Sequence, residues 1–195
     1  MKGDTAFFWA TLLGIFVAVG SCGGIRPGVT TGPGSAAVTI TPGVTVTARP
    51  GLAQRLTDAG FTVTDAGSTV GGNCTAQSYG QVHDYFATHA CRNVSRASAT
   101  VTDAAGNRAV LAFAEVEMPD AASAADLRRI VDVYGTGNVT ELSTQSGPHQ
   151  GVAYTGRYYS SSLTGTKFSD LQAEPLTPTA GSRALAQRAS QALAS

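Results

Sequence analysis

Residues 97–117 run ASATVTDAAGNRAVLAFAEVE and decide the fold that the sequence predicts. Ala97, Ala99 and Val101 alternate with polar residues ahead of the turn-forming segment 103–107, which indicates two strands joined by a tight turn. After the turn, apolar residues occupy neighbouring positions rather than every second one. A strand that is apolar on both faces belongs in the interior of a sheet, with a helix over one face. We therefore expect an antiparallel hairpin with a central second strand.

Apolar residues at helical spacing occur on both sides of this hairpin. The spacing predicts helices over 52–59, 78–89, 120–134 and 182–193. Shorter alternating segments predict further strands over 61–64, 139–142, 151–159 and 167–176. Neighbouring strands with interspersed helices are typical of the α+β class. We expect an α+β domain over residues 51–195, with a mostly antiparallel sheet and helices packed on one face.

The composition excludes two broad classes of protein. The chain has 195 residues, of which 43% are hydrophobic and 13% charged, and its 13 basic and 13 acidic residues cancel. A nucleic-acid-binding protein would carry a basic excess, and a disordered polyelectrolyte would carry high net charge with few apolar residues. We therefore expect no nucleic-acid partner.

Residues 1–25 predict a membrane-associated segment. No charged residue occurs between Asp4 and Arg26, and the stretch is long enough to cross a bilayer. A cleaved signal peptide, an uncleaved transmembrane signal anchor and a lipoprotein signal all fit this pattern. The lipoprotein alternative would place a lipid on Cys22, which ends a Val-Gly-Ser-Cys sequence. In each case the rest of the chain is expected outside the cytoplasm, at the cell membrane.

Residues 26–50 are rich in Gly, Pro and Thr and predict a linker that cannot form a core of its own. Within it, Val or Ile alternates with Thr over 38–41 and 44–47, around Pro42-Gly43. This alternation fits a small hairpin, but Pro-Gly favours a type II turn whereas tight hairpins prefer the primed turn types. We expect an extended linker.

The three cysteines predict one disulfide. If Cys22 belongs to the anchor, Cys74 and Cys91 remain as a pair, and export to an oxidising compartment favours their oxidation. The alternative is a metal site that adds His83 and His89. Zinc sites usually contain closely spaced pairs of cysteines, which this segment lacks. The prediction is therefore a disulfide, with no metal and no cofactor.

The sequence contains no nucleophile elbow, metalloprotease motif or phosphate-binding glycine loop. Glu115 and Glu117 are two residues apart on a predicted strand and so share a face, where they can act as an acid and base pair or form a solvated surface. Tyr154 and Tyr158 are predicted to share a strand face and form a ligand surface, although core packing explains them as well. No catalytic residue is assigned.

Five short segments resemble a group of uncharacterised actinobacterial membrane or secreted, lipoprotein-like proteins. The similarity is carried by segments at 52–63, 78–82, 116–121, 134–142 and 172–176, among them YGTGNVTEL and QAEPL. The resemblance implies an exported domain and no catalytic residues.

Taken together, the sequence predicts a membrane-tethered extracytoplasmic domain that binds another envelope protein or a small ligand. One alternative is a cell-envelope hydrolase or transferase that uses His83 and His89 or the pair Glu115 and Glu117. A third is a structural lipoprotein. A pocket that unites these groups would favour the enzyme, and their separation would favour binding.

Overall fold

The computed structural model describes residues 50–193. Its elements in chain order are α1 (Pro50–Asp58), β1 (Thr62–Val70), α2 (Gly80–Thr88), β2 (Asn93–Thr102), β3 (Arg108–Glu117), α3 (Ala121–Val131), α4 (Leu142–Gln145), β4 (Tyr158–Thr164), β5 (Lys167–Pro175), α5 (Ala180–Ser190) and a 3₁₀ turn, Gln191–Leu193. Within 50–193, none of the helices has both the length and the apolar character that a membrane span needs. The predicted anchor over 1–25, with Cys22, and the linker up to residue 49 lie outside the described residues.

The strands form one antiparallel sheet in the order β1-β2-β3-β5-β4. The predicted hairpin is its centre, and Asp103 holds the turn because its Oδ1 accepts hydrogen bonds from the backbone N–H groups of Ala105 and Asn107, each at 3.0 Å. Side chains such as Asp favour turns through bonds of this kind. The predicted α+β class and the antiparallel sheet are confirmed.

Helices cover both faces of the sheet rather than the one face predicted. Leu111 and Phe113 face a core that α1 and α5 complete, and we call this side the α1/α5 face. Ala114 and Val116 face a second core that α2 and α3 complete, and we call that side the α2/α3 face. Because β3 lies between β2 and β5 and is buried over most of its length, both of its faces need a cover.

A bulge in the edge strand β1 changes which side chains point to the α1/α5 face. The pairing with β2 shifts between Thr64 and Gly67, and Asp65 has a left-handed φ of 50°. Since side chains alternate along a strand, the extra residue brings Ser68 opposite Ala97 on the α1/α5 face. The strand thus extends well beyond its predicted range of 61–64.

Two other predicted strands are wrong in position. The predicted strand 151–159 begins only at Tyr158, and β4 continues through the serine-rich segment that was expected to be a connection. The predicted strand 139–142 is reduced to a single bridge between Val139 and Ser78, because Leu142 begins α4. Serine has a low intrinsic strand preference, so pairing with β5 decides the conformation of β4.

Candidate functional site

A cavity of about 150 Å³ lies between α1 and strands β1–β3 on the α1/α5 face. We call it the α1 groove. Most of its wall is apolar, from Leu52, Ala53, Leu56, Val63, Ala66, Val70, Ala97, Ala99, Leu111 and Phe113. An engineered apolar cavity of similar volume is known to bind benzene. The groove is therefore large enough for a branched alkyl group or one ring.

The groove exists because a short helix and small side chains leave part of the sheet uncovered. A nine-residue helix such as α1 is about 14 Å long, whereas the nine-residue strand β1 beneath it extends about 30 Å. On the floor, Ala97 pairs with Phe113 and Ala99 pairs with Leu111. Both alanines stay half-buried, because no larger side chain fills the space above them.

Several polar residues also line the groove, among them Ser68, Arg96 and Glu115. The hydroxyl of Ser68 is buried and has no hydrogen-bond partner among the described residues. Glu115 also lines the groove and pairs with the Nζ atom of Lys167 at 3.5 Å, and Ser169 donates a hydrogen bond to it at 3.3 Å. A bound apolar group that carries an acceptor can therefore satisfy Ser68, since an unmade buried hydrogen bond is costly.

Glu115 and Glu117 share a face of β3, as their spacing predicts. Lys167 on β5 lies between them, with its Nζ atom 3.5 Å from Glu115 and 3.8 Å from Glu117. One ammonium group thus offsets part of the charge of both carboxylates. The geometry is that of a cross-strand ion pair, which stabilises a sheet.

The structure does not unite the two histidines with this glutamate pair. His83 and His89 belong to α2 and its C-terminal end, on the α2/α3 face, and both are exposed. His89 stacks on Tyr85 with a ring separation of 4.2 Å. Within residues 50–193, no group of three or more His, Cys, Asp or Glu side chains is placed to hold a metal ion.

The predicted ligand surface of Tyr154 and Tyr158 does not form on one strand. Tyr158 is only 8% exposed and belongs to the core under α5. Tyr154 precedes β4, and its hydroxyl lies 2.7 Å from the hydroxyl of Ser143 in α4. Burial raises the pKa of Tyr154 above its ordinary value. Tyr154 thus lies outside the strand that contains Tyr158, and the two rings do not share a strand face.

The predicted disulfide between Cys74 and Cys91 is present. It joins the loop before α2 to the segment after it, with 6.3 Å between the two Cα atoms. Cys74 also belongs to the core of the α2/α3 face. The bond therefore fixes both ends of α2 against the sheet.

A buried aspartate, Asp170, lies on the α2/α3 face in a cluster with the less buried Glu141 and Asp132, and the sequence did not predict it. Asp170 on β5 is 2% exposed; its Oδ2 accepts a hydrogen bond from the side chain of Asn138 at 2.6 Å, and its Oδ1 has no partner among the described residues. Burial raises the pKa of Asp170 to about 7, and the charges of Glu141 and Asp132 add to the rise, although the Asn138 hydrogen bond opposes it. A small cavity of about 10 Å³ borders Asp170 and Glu141.

Neighbouring hydrogen bonds hold the other two carboxylates of this cluster. Glu141 accepts from the side-chain amide of Gln172 at 2.8 Å. Asp132 accepts from the hydroxyls of Tyr159 and Ser161, each at 2.7 Å. Burial raises the pKa of Asp132, but these bonds and one from Arg128 outweigh it and hold the pKa below its usual range. The fold thus favours the neutral form of Asp170 and the charged form of Asp132.

A glycine pair positions the cluster. A Cβ atom on Gly137 would lie 2.1 Å from the carbonyl oxygen of Tyr79, and one on Gly80 would lie 2.4 Å from that of Thr136. The two backbones can therefore cross only without side chains, and this crossing sets the position of Asn138 beside Asp170. The segment 135–138 therefore does more than follow the predicted helix over 120–134, because it also holds Asn138 beside Asp170.

Sequence signals for Ser68 and Asp170 are weak. No local sequence pattern indicates the bulge that turns Ser68 into the groove, and Asp170 alternates with Gln172 and Glu174 as residues on a solvated strand face do.

No protein-family model, curated protein or solved structure matches this chain, so the arrangement of its own residues carries the functional argument.

Proposed function

We propose that this chain is an extracytoplasmic binding protein, held at the membrane by its N-terminal segment, whose domain takes up an apolar group in the α1 groove. The observation that carries the proposal is the groove itself, an apolar cavity of about 150 Å³ with one unpartnered hydroxyl, from Ser68. Binding sites for small molecules and apolar side chains are typically concave and apolar, with a few placed polar groups.

Binding is favoured over the alternative of a hydrolase or transferase by where the candidate groups lie. His83 and His89 are exposed on the α2/α3 face, whereas Glu115 and Glu117 lie on the α1/α5 face and share Lys167. Acid–base catalysis needs its groups within reach of one substrate atom. Groups separated by the thickness of a sheet do not meet that condition.

Photolabelling tests the binding function. The full chain in lipid nanodiscs is exposed to a small apolar diazirine compound, and labelled peptides are identified by mass spectrometry. We expect labels within 52–56 and 95–99. Ala99→Leu fills the groove floor and should remove most of this labelling, whereas Ala122→Leu, on the exposed start of α3, should leave it unchanged. Labelling that ignores the Ala99 substitution contradicts the proposal.

A separate experiment tests the anchor. Cells expressing the chain are fed an alkyne analogue of palmitate, and the recovered protein is assayed for the label. Labelling that Cys22→Ala abolishes supports a lipoprotein anchor. An unlabelled protein that stays in the membrane fraction after alkaline extraction supports an uncleaved signal anchor, and its release into the medium contradicts membrane tethering.

A further inference from the structure

We propose that the α1 groove takes up the acyl group of an ester or amide, with a branched alkyl group or one ring as its apolar part and with Ser68 as the hydrogen-bond donor to its carbonyl oxygen. The inference rests on the proposed function, because it uses the same groove, and it adds the chemical class of the ligand. Free carboxylates and plain hydrocarbons of the same shape should then bind less tightly.

The hydroxyl of Ser68 is the polar group that an occupant of the groove must satisfy. Its oxygen is buried and has no hydrogen-bond partner among the described residues. Ser68 pairs with Ala97 across the sheet, so its neighbour on the groove floor is a methyl group that cannot accept a hydrogen bond. A buried donor without an acceptor costs free energy, which a carbonyl oxygen on the occupant recovers. A hydrocarbon of the same shape leaves that cost in place.

The strand register places Ser68 between a closed apolar end of the groove and an open end. On one side of the Ser68–Ala97 pair lies Ala99, which pairs with the almost fully buried Leu111. On the other side lies Val70, which is 61% exposed. The apolar part of a ligand therefore fits toward Leu111, its carbonyl group lies beside Ser68, and whatever follows the carbonyl passes Val70 toward solvent. An acyl group attached to a larger molecule has this order of parts.

The charged residues around the groove disfavour a free carboxylate. Glu115 borders the groove and contributes a carboxylate, which lies 3.5 Å from the Nζ atom of Lys167. Arg96 also lines the groove, but its side chain alternates with Ala97 to the other face of β2 and donates to the carbonyl oxygen of Thr140. An anionic head group would thus be buried against an apolar wall and a like charge, which is costly. An ester or amide supplies the acceptor without the charge.

Competition in the photolabelling assay tests the ligand class. The full chain in nanodiscs is labelled in the presence of methyl isovalerate, of the isovalerate anion, or of the branched hydrocarbon in which a methyl and a methylene group replace the two ester oxygens. The free aqueous concentration of each competitor is measured, and the concentration that halves the labelling of 95–99 gives its apparent affinity. We expect the ester to compete at roughly one-tenth of the isovalerate concentration.

The variant Ser68→Ala separates the hydrogen bond from the shape of the groove. It should raise the half-labelling concentration of the ester roughly five-fold, because the donor is gone, and should not raise that of the hydrocarbon. The matched control Ser162→Ala, on the same face of the sheet but on β4 and outside the groove, should change neither value. Continued competition by the hydrocarbon shows that the groove of Ser68→Ala is folded.

An equal effect of Ser68→Ala on the ester and the hydrocarbon would overturn the inference. Isovalerate that competes as well as the ester would also overturn it, as would an ester that does not compete. All three results leave the proposed function standing as long as the labelling of 95–99 is lost in Ala99→Leu. Labelling that ignores Ala99→Leu refutes the proposed function itself.

Discussion

Asp170→Asn should remove a loss of stability that the native chain suffers as pH rises. The buried Asp170 carboxyl has a pKa raised to about 7, against an ordinary value of 3.8. Between these pH values the folded chain holds a proton that the unfolded chain has released, so the contribution of Asp170 to stability is greatest at low pH and falls as pH rises. The slope is about 1.4 kcal/mol per pH unit, and the total is on the order of 4 kcal/mol.

The asparagine variant is neutral throughout this range, and its oxygen can still accept the hydrogen bond from Asn138. We therefore expect its free energy of unfolding to exceed that of the native chain at pH 8 and to match it more closely at pH 5. Urea unfolding of the disulfide-intact chain at pH 5, 6, 7 and 8 measures this difference. Asp58→Asn, at an exposed position on α1, should keep the native slope. A native stability that is flat or rising, or an Asp170→Asn slope equal to the native one, would refute the reasoning.

Three further substitutions test the described contacts. Gly137→Ala should lower the free energy of unfolding in urea by about 3 kcal/mol or more, because its Cβ atom would overlap a backbone oxygen. The control Gly135→Ala also has a positive φ, but its Cβ atom would meet nothing within 4 Å, so it should cost about 1 kcal/mol. Equal costs would contradict the backbone crossing. Cys74→Ser should lower stability by roughly 3 kcal/mol relative to the oxidised native chain, and reduction of the native chain should cost the same amount, so that the variant and the reduced native chain unfold alike. Asp120→Ala removes the cap on the Ser123 amide, a 2.8 Å bond, and should lower the melting temperature; an unchanged melting temperature would contradict this role.

Local signals made the helices and the central hairpin predictable. Leu56 and Phe86 are buried on the helix faces that their spacing indicates, and the turn over 103–107 is held by one Asp side chain within the turn. The disulfide followed from the number of cysteines and from the expected compartment. In each case the deciding contacts lie close together in sequence.

The two sites could not be predicted because their partners are distant in sequence. Asp170 is buried because residues near Asn138, well before it in the chain, cross over the sheet, and that crossing depends on the contact of Gly137 with the segment at Gly80. The α1 groove depends on a bulge in β1 and on the short length of α1. A strand pattern records which side is polar, but it does not record what later covers that side.

The strand order has a consequence for how the chain reaches its fold. β2 and β3 are joined by a short turn, as are β4 and β5, so each pair can form locally. The contact of β3 with β5 requires closure of the whole segment 118–166, and loop closure must be completed before this contact adds stability. Docking of one preformed hairpin on the other is thus expected to limit the folding rate. Asp170 and its buried surroundings are completed only in that last step, which makes its protonation a late event on the folding pathway.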